Sequence, residues 1–105
     1  MEVRYYRSAS GREPVRDYIE GLDAAERAPL LAMVLHLFSV GFDGLDVKPL
    51  RGKLWEVRVT RHRVFYVAVA GPTVVLLHAD KKQGQRAPPR ELATAERRMR
   101  EVLGS

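Results

Sequence analysis

The hydrophobic period of this chain switches from helical to extended spacing near residue 54, and that switch constrains the fold more than any other feature. Before it, Val15, Tyr18, Ile19 and Leu22 recur every three or four residues, as do Leu30, Leu31, Val34, Leu35 and Phe38. Two helices are therefore predicted. The first opens at Pro14, whose fixed φ suits a first helical turn, and runs to about Gly21. The second is opened by Asp23-Ala-Ala-Glu26, a capping-box pattern, and ended by Gly41. Leu30, Leu31, Val34, Leu35 and Phe38 are its expected buried stripe, and Pro29 is expected to kink it or delay its start.

Asp43 to Lys53 reads as a loop from its Gly, Asp and Pro content. Beyond it Trp55, Val57 and Val59 alternate with Glu56, Arg58 and Thr60. Arg63 to Ala70 is apolar-rich, and Gly71-Pro72 turns the chain into Thr73 to Ala79, which together make a three-strand antiparallel meander. Met1 to Tyr6 alternates weakly and suits one more short strand. Pro88-Pro89 then precedes Leu92, Ala95, Met99, Val102 and Leu103, an amphipathic helix with Glu96/Arg100 and Arg97/Glu101 pairs on its outer face. The order predicts an α+β domain, a small antiparallel sheet packed on one face by helices. At 105 residues the chain is a single domain, 1–105, because this length supports one core.

Cysteine is absent, which excludes disulfides and thiolate metal sites. No apolar run has the length a bilayer needs, and the N-terminus lacks the apolar core of a signal peptide, so a cytoplasmic protein without membrane contact is expected. The formal net charge of +5 is unevenly spread. Residues 1–47 carry −3 and residues 48–105 carry +8. A focused basic half attracts polyanions over roughly a Debye length, which points to nucleic acid or an acidic protein segment as partner.

With Arg61 and His62 as the tip of the first hairpin, Thr60 pairs with Arg63 and Arg58 faces Phe65. Trp55, Val57, Val59, Val64 and Tyr66 then share one face, and Glu56, Arg58, Arg63 and Phe65 the other. The second face is cationic: Arg51, Lys53, Arg58, Arg61 and Arg63 are opposed by Glu56 alone. Arg63 and Lys82 are expected to be solvent-facing and dispensable for folding, and His62 to be exposed. His78 to Arg86 reads as a polar, basic, site-bearing loop after the last strand. His78 is either a general acid/base or a hydrogen-bonded structural residue. Trp55 is assigned to the core rather than to base stacking. No phosphate loop, dinucleotide fingerprint or metal-ligand spacing is present, and no cofactor is expected. The chemistry left is cleavage of RNA through its own 2′-OH, with cations offsetting the developing charge.

The string Lys48-Pro-Leu-Arg-Gly-Lys-Leu-Trp-Glu-Val-Arg58, then His62-Arg-Val-Phe-Tyr-Val67, then Leu76-Leu-His78 and Lys81-Lys82 through Pro88, resembles the RelE/ParE toxin superfamily, specifically its phage-derived HigB-like branch. Pro14-Val-Arg-Asp-Tyr-Ile-x-x-Leu22 matches that branch's first-helix pattern. The resemblance implies a toxin of a type II toxin–antitoxin module, an mRNA endonuclease acting with the ribosome and held inactive in a complex with a protein antitoxin. Carried over by motif, it assigns Arg63 and Lys82 to the scissile phosphate and Arg58 to positioning. Lys53, Arg61, Lys81 and Arg86 are assigned to the RNA backbone. The branch usually has Gly-Phe after the strand-end His and a Thr after the Lys run, where this chain has Ala79-Asp80 and Gly84. Pro88 stands where a Tyr is often found, which leaves the general base open between His78 and Lys82, with Asp80 as the next candidate should His78 prove dispensable. The same scaffold also serves ParE-like chains that inhibit DNA gyrase without cutting, and inactive phage accessory proteins are a third possibility.

Overall fold

A computed structural model describes residues 1–104. Its elements are β1 (Glu2–Tyr5), α1 (Pro14–Glu20), α2 (Ala24–Ser39), β2 (Asp46–Arg51), β3 (Leu54–Val59), β4 (His62–Val69), β5 (Thr73–Lys81) and α3 (Pro89–Leu103). The α+β class and the element order follow the sequence reading. The sheet has five strands in the order β1-β5-β4-β3-β2. It is mixed rather than wholly antiparallel, because β1 joins β5 in parallel, with Val3 opposite Val74.

The predicted 43–53 loop contains a strand. β2 pairs antiparallel with β3, Val47 opposite Val57, and the register shifts between Pro49 and Arg51. Pro49 is tolerated because β2 is an edge strand, where a missing N–H breaks no ladder on the open side. The helices occupy both faces of the sheet, not one. Val15 and Ile19 of α1 and Leu30, Met33 and Leu37 of α2 pack with Val57, Val64, Tyr66, Val74 and Leu76 on one side. Ala95 of α3 packs with Tyr6, Leu54, Phe65, Val67 and Leu77 on the other. Full burial of each such aliphatic or aromatic side chain is worth about 1.5–3 kcal/mol, so the sheet serves as the shared wall of two small cores.

In α2 the Asp23 side chain accepts from the Glu26 backbone N–H at 2.9 Å, which is one half of the capping box. Glu26 does not complete it; its carboxylate turns to His62 and Lys81. The helix runs unbroken through Pro29 from Ala24, so it does not start late. The expected buried stripe is corrected: Leu30, Met33 and Leu37 are inside, whereas Leu31, Leu35 and Phe38 are exposed. Both rows have helical spacing, and α2 is apolar nearly all round, so periodicity did not select the inward face.

The β3–β4 hairpin pairs Val59 with His62 and Arg58 with Arg63, and its tip is Thr60-Arg61 rather than Arg61-His62. The register therefore differs by two residues from the expected one. Since side chains alternate with a period of two, the expected faces survive this shift. Thr60 takes a left-handed φ of 53°, a conformation that a β-branched residue disfavours. Thr60→Gly is expected to raise stability by about 1 kcal/mol, read by thermal or urea denaturation; a destabilised variant would show that the hydroxyl bond to the Val59 carbonyl outweighs the backbone relief.

Candidate active site

On the α3 side of the sheet, alternation along β3, β4 and β5 brings Glu56, Arg58, Arg63, Phe65, His78 and Asp80 onto one face, with Arg63 directly across from Asp80 and Phe65 from His78. The expected exposure of this face is wrong. Arg63 and Glu56 are 0% and 1% exposed. Glu56 Oε2 accepts from Arg58 Nε at 2.6 Å, and its Oε1 lies 3.6 Å from Arg63 Nε. The two arginines thus share one buried carboxylate, which explains how like charges face each other across the hairpin. The expectation that Arg63 is solvent-facing and dispensable for folding is overturned by the same geometry.

The segment between β5 and α3 lies over this pair. Arg63 Nη2 donates to the Gly84 carbonyl at 3.4 Å, and Arg58 Nη2 donates to the Gln85 carbonyl at 3.0 Å. The predicted site loop is therefore shorter than expected, since His78 to Lys81 belong to β5 and only residues 82–88 form the connection. Lys82 directly follows β5, half-buried, its backbone N–H donating to the Arg61 carbonyl at 2.6 Å. Alternation places it on the Asp80 side of the sheet.

His78 is fastened on three sides. Its ring stacks on Phe65 with centroids 5.7 Å apart. Arg98 Nη1 lies 3.1 Å from Nδ1 and, having no acceptor capacity, donates to it. Nε2 therefore carries the proton and donates to Glu91 at 2.6 Å. Burial pulls the imidazole below its ordinary pKa, outweighing Glu91, which acts the other way. With both ring nitrogens engaged by α3, His78 is built as a docking post for that helix. His62, expected to be exposed, is fully buried on the opposite face: Nε2 faces Glu26 at 3.0 Å and Nδ1 faces the Tyr18 hydroxyl at 2.6 Å. Its backbone sits inside the ladder between Val59 and Lys81, which draws the ring under α1 and α2.

The other residues expected to touch RNA are dispersed. Arg61 is exposed at the hairpin tip and Arg86 is exposed in the connection, where it lines a groove of about 590 Å³ with Lys48, Arg51 and Gln85. Lys81 points to the α2 side, 3.5 Å from Glu26, and so faces away from Arg58 and Arg63. Lys53 sits in the β2–β3 turn, five strand positions from Arg58, or about 17 Å along the sheet. Arg58, Arg63 and Lys82 come together at one end of the sheet; Lys53 and Lys81 do not join them. Trp55 packs half-buried against the α1/α2 core, as expected.

Sequence reasoning missed Glu91. It stands at this end of the sheet with Glu56 and with Asp80, the carboxylate already noted in the sequence, and the alternation of Glu56 with Arg58 was the legible sign of a counter-charge. Burial pushes the Asp80 carboxyl up to about 6, with Glu91 and Glu56 adding to the rise and Arg63 opposing it. Among the described residues no group of three or more His, Asp or Glu side chains is placed to hold a metal ion, and no helix is long and apolar enough to cross a membrane.

The family model for phage-derived Gp49-like proteins matches residues 17–100. Among solved structures, the fold is similar to a chain in the crystal structure of the archaeal RelE–RelB complex from Pyrococcus horikoshii OT3, with a TM-score of 0.58 and 22% identity. That match covers 82% of this chain and 100% of the other. No curated protein sequence matches the chain.

Proposed function

This chain belongs to the Gp49-like family of phage-derived proteins, and from that premise we propose that it is the toxin of a toxin–antitoxin pair and an endonuclease that cuts ribosome-bound mRNA. The observation that carries this reading is the convergence of Arg58, Arg63 and Lys82 with Asp80 at one end of the sheet, beside a polar connection that borders the groove holding Arg86. Guanidinium and ammonium groups offset the charge that grows on a phosphorane, and cleavage through the ribose 2′-OH asks nothing else of the protein but a proton acceptor. The RelE–RelB complex supplies the analogy for the antitoxin, which for this chain would be an acidic protein drawn to the basic half. Its binding should weaken as salt rises.

Lys82 is the informative variant because it is not part of the buried network. Lys82→Gln is expected to lower the cleavage rate by about 10²-fold with the melting temperature unchanged, measured by primer extension on mRNA bound to ribosomes. Wild-type protein that leaves both ribosome-bound and free mRNA intact would overturn the endonuclease reading. The burial of Arg63 favours one second reading, a ParE-like protein that inhibits DNA gyrase by contact and cuts nothing. Inhibition of gyrase supercoiling by Lys82→Gln and wild type alike, with mRNA intact, would establish it.

A further inference from the structure

On the endonuclease reading, the structure leaves the proton acceptor unassigned, since both nitrogens of His78 are engaged by α3. We infer that Asp80 takes the proton of the ribose 2′-OH: it stands across the ladder from Arg63, its Oδ1 is buried without a hydrogen-bond partner, and it forms one wall of an open cleft at the head of α3.

That cleft, of about 240 Å³, is lined by Asp80, Lys81, Gln83, Pro88, Arg90 and Glu91. It opens beside the 82–88 connection at the head of α3, so a phosphodiester lying along that connection, next to Arg90 and the partly exposed Arg58, brings its ribose past Asp80. Directly opposed residues in an antiparallel pair have Cα atoms about 4.5–5.5 Å apart, so the buried Arg63 guanidinium acts on the Asp80 carboxylate through its field. No donor stabilises the charge on the buried Oδ1 and the carboxylate is desolvated, which together raise its basicity toward the working pH, while the side chain stays partly exposed at the cleft. The groups that face it are mixed in sign. Arg63 from β4 favours the carboxylate, whereas Glu91 from α3 and Glu56 from β3 disfavour it, and Arg90 from α3 lines the same cleft. Tyr18 from α1 feels the Asp80 charge from the other side of the sheet. Lys81 lines the cleft but directs its ammonium to Glu26.

The step balances without a metal or oxidant. Asp80 accepts the 2′-hydroxyl proton, the 2′-oxygen bonds to the adjacent phosphorus, and the bond from phosphorus to the 5′-oxygen breaks. One fragment ends in a 2′,3′-cyclic phosphate; the departing 5′-oxygen takes its proton from water.

The test compares wild type, Asp80→Asn and Asp80→Glu on ribosome-bound mRNA from pH 5.5 to 8, with binding of an RNA carrying 2′-deoxyribose at the cut site measured in parallel. Wild-type cleavage should rise with pH through the Asp80 pKa and level off. Asp80→Asn should be slower by about 10²–10³-fold, lose that rising limb and still bind the deoxy-substituted RNA within about threefold of wild type. Asp80→Glu should recover part of the rate and keep a rising limb. An Asp80→Asn protein that cuts with the wild-type pH profile would overturn the assignment and leave the endonuclease reading standing. A wild-type protein that cuts nothing would overturn both. The carboxyl of Asp80, followed by carbon NMR in the intact protein, gives a readout apart from activity: titration in the ordinary range near 4 would also overturn the assignment.

Discussion

Arg63→Gln is expected to cost about 3 kcal/mol of folding free energy, and so to lower the melting temperature by about 12 °C or more. The reason is the arrangement beneath the connection. Arg63 is fully buried, its guanidinium beside a Glu56 that is also buried, and removing the cation leaves that carboxylate with Arg58 as its only arginine partner. A broken buried pair commonly costs about 3–5 kcal/mol, and the lower end applies because the 2.6 Å bond from Arg58 survives. Arg58→Gln, at a side chain still 18% exposed, is expected to cost about 1 kcal/mol. The double variant Glu56→Gln/Arg63→Gln should regain part of the loss, since it removes both charges together. Thermal denaturation of the four proteins decides the matter; Arg63→Gln melting at the wild-type temperature would show that the network carries no structural load. If the expected loss is seen, loss of activity in Arg63 variants alone is no proof of a role at the phosphate, which is why Lys82 and Asp80 are the cleaner probes.

His78→Ala is expected to cost about 2–3 kcal/mol at pH 7.5, because it removes a hydrogen bond to a charged partner, an aromatic stack and the acceptor of Arg98 at once. The pH dependence has a definite sign. The native imidazole has its pKa lowered, chiefly by burial, so below the ordinary value near 6.5 the unfolded chain binds the proton more readily than the native one. The stabilisation is present above about pH 6.5 and is lost as pH falls through the native value. The gap between wild type and His78→Ala should accordingly narrow on acidification, and His78→Gln, which keeps a donor for Glu91, should fall between them. A gap that widens toward pH 5 would mean that the native ring is held charged by Glu91, and the docking geometry derived from Arg98 would fail with it.

The period switch near residue 54, the Asp23 cap, the Gly71-Pro72 turn and the alternation Glu56/Arg58 against Val57/Val59 are local matters of backbone preference and side-chain spacing, and these were legible in the chain itself. So was the face on which Arg58 and Arg63 lie, because a two-residue error in register leaves faces unchanged. Burial was not legible. Arg63 reads as a solvent-facing cation until α3 and the 82–88 connection close over it, and His78 reads as a free base until Glu91 and Arg98, thirteen and twenty residues away, claim its nitrogens. Nor did α2 announce which of its two apolar rows faces the sheet. β2 became a strand only because β3 offered it an unpaired edge. Spacing along the chain determines which side chains share a face; whether that face meets water, an acid or another helix depends on elements distant in sequence, whose packing sets the dielectric and the partners of every ionisable group.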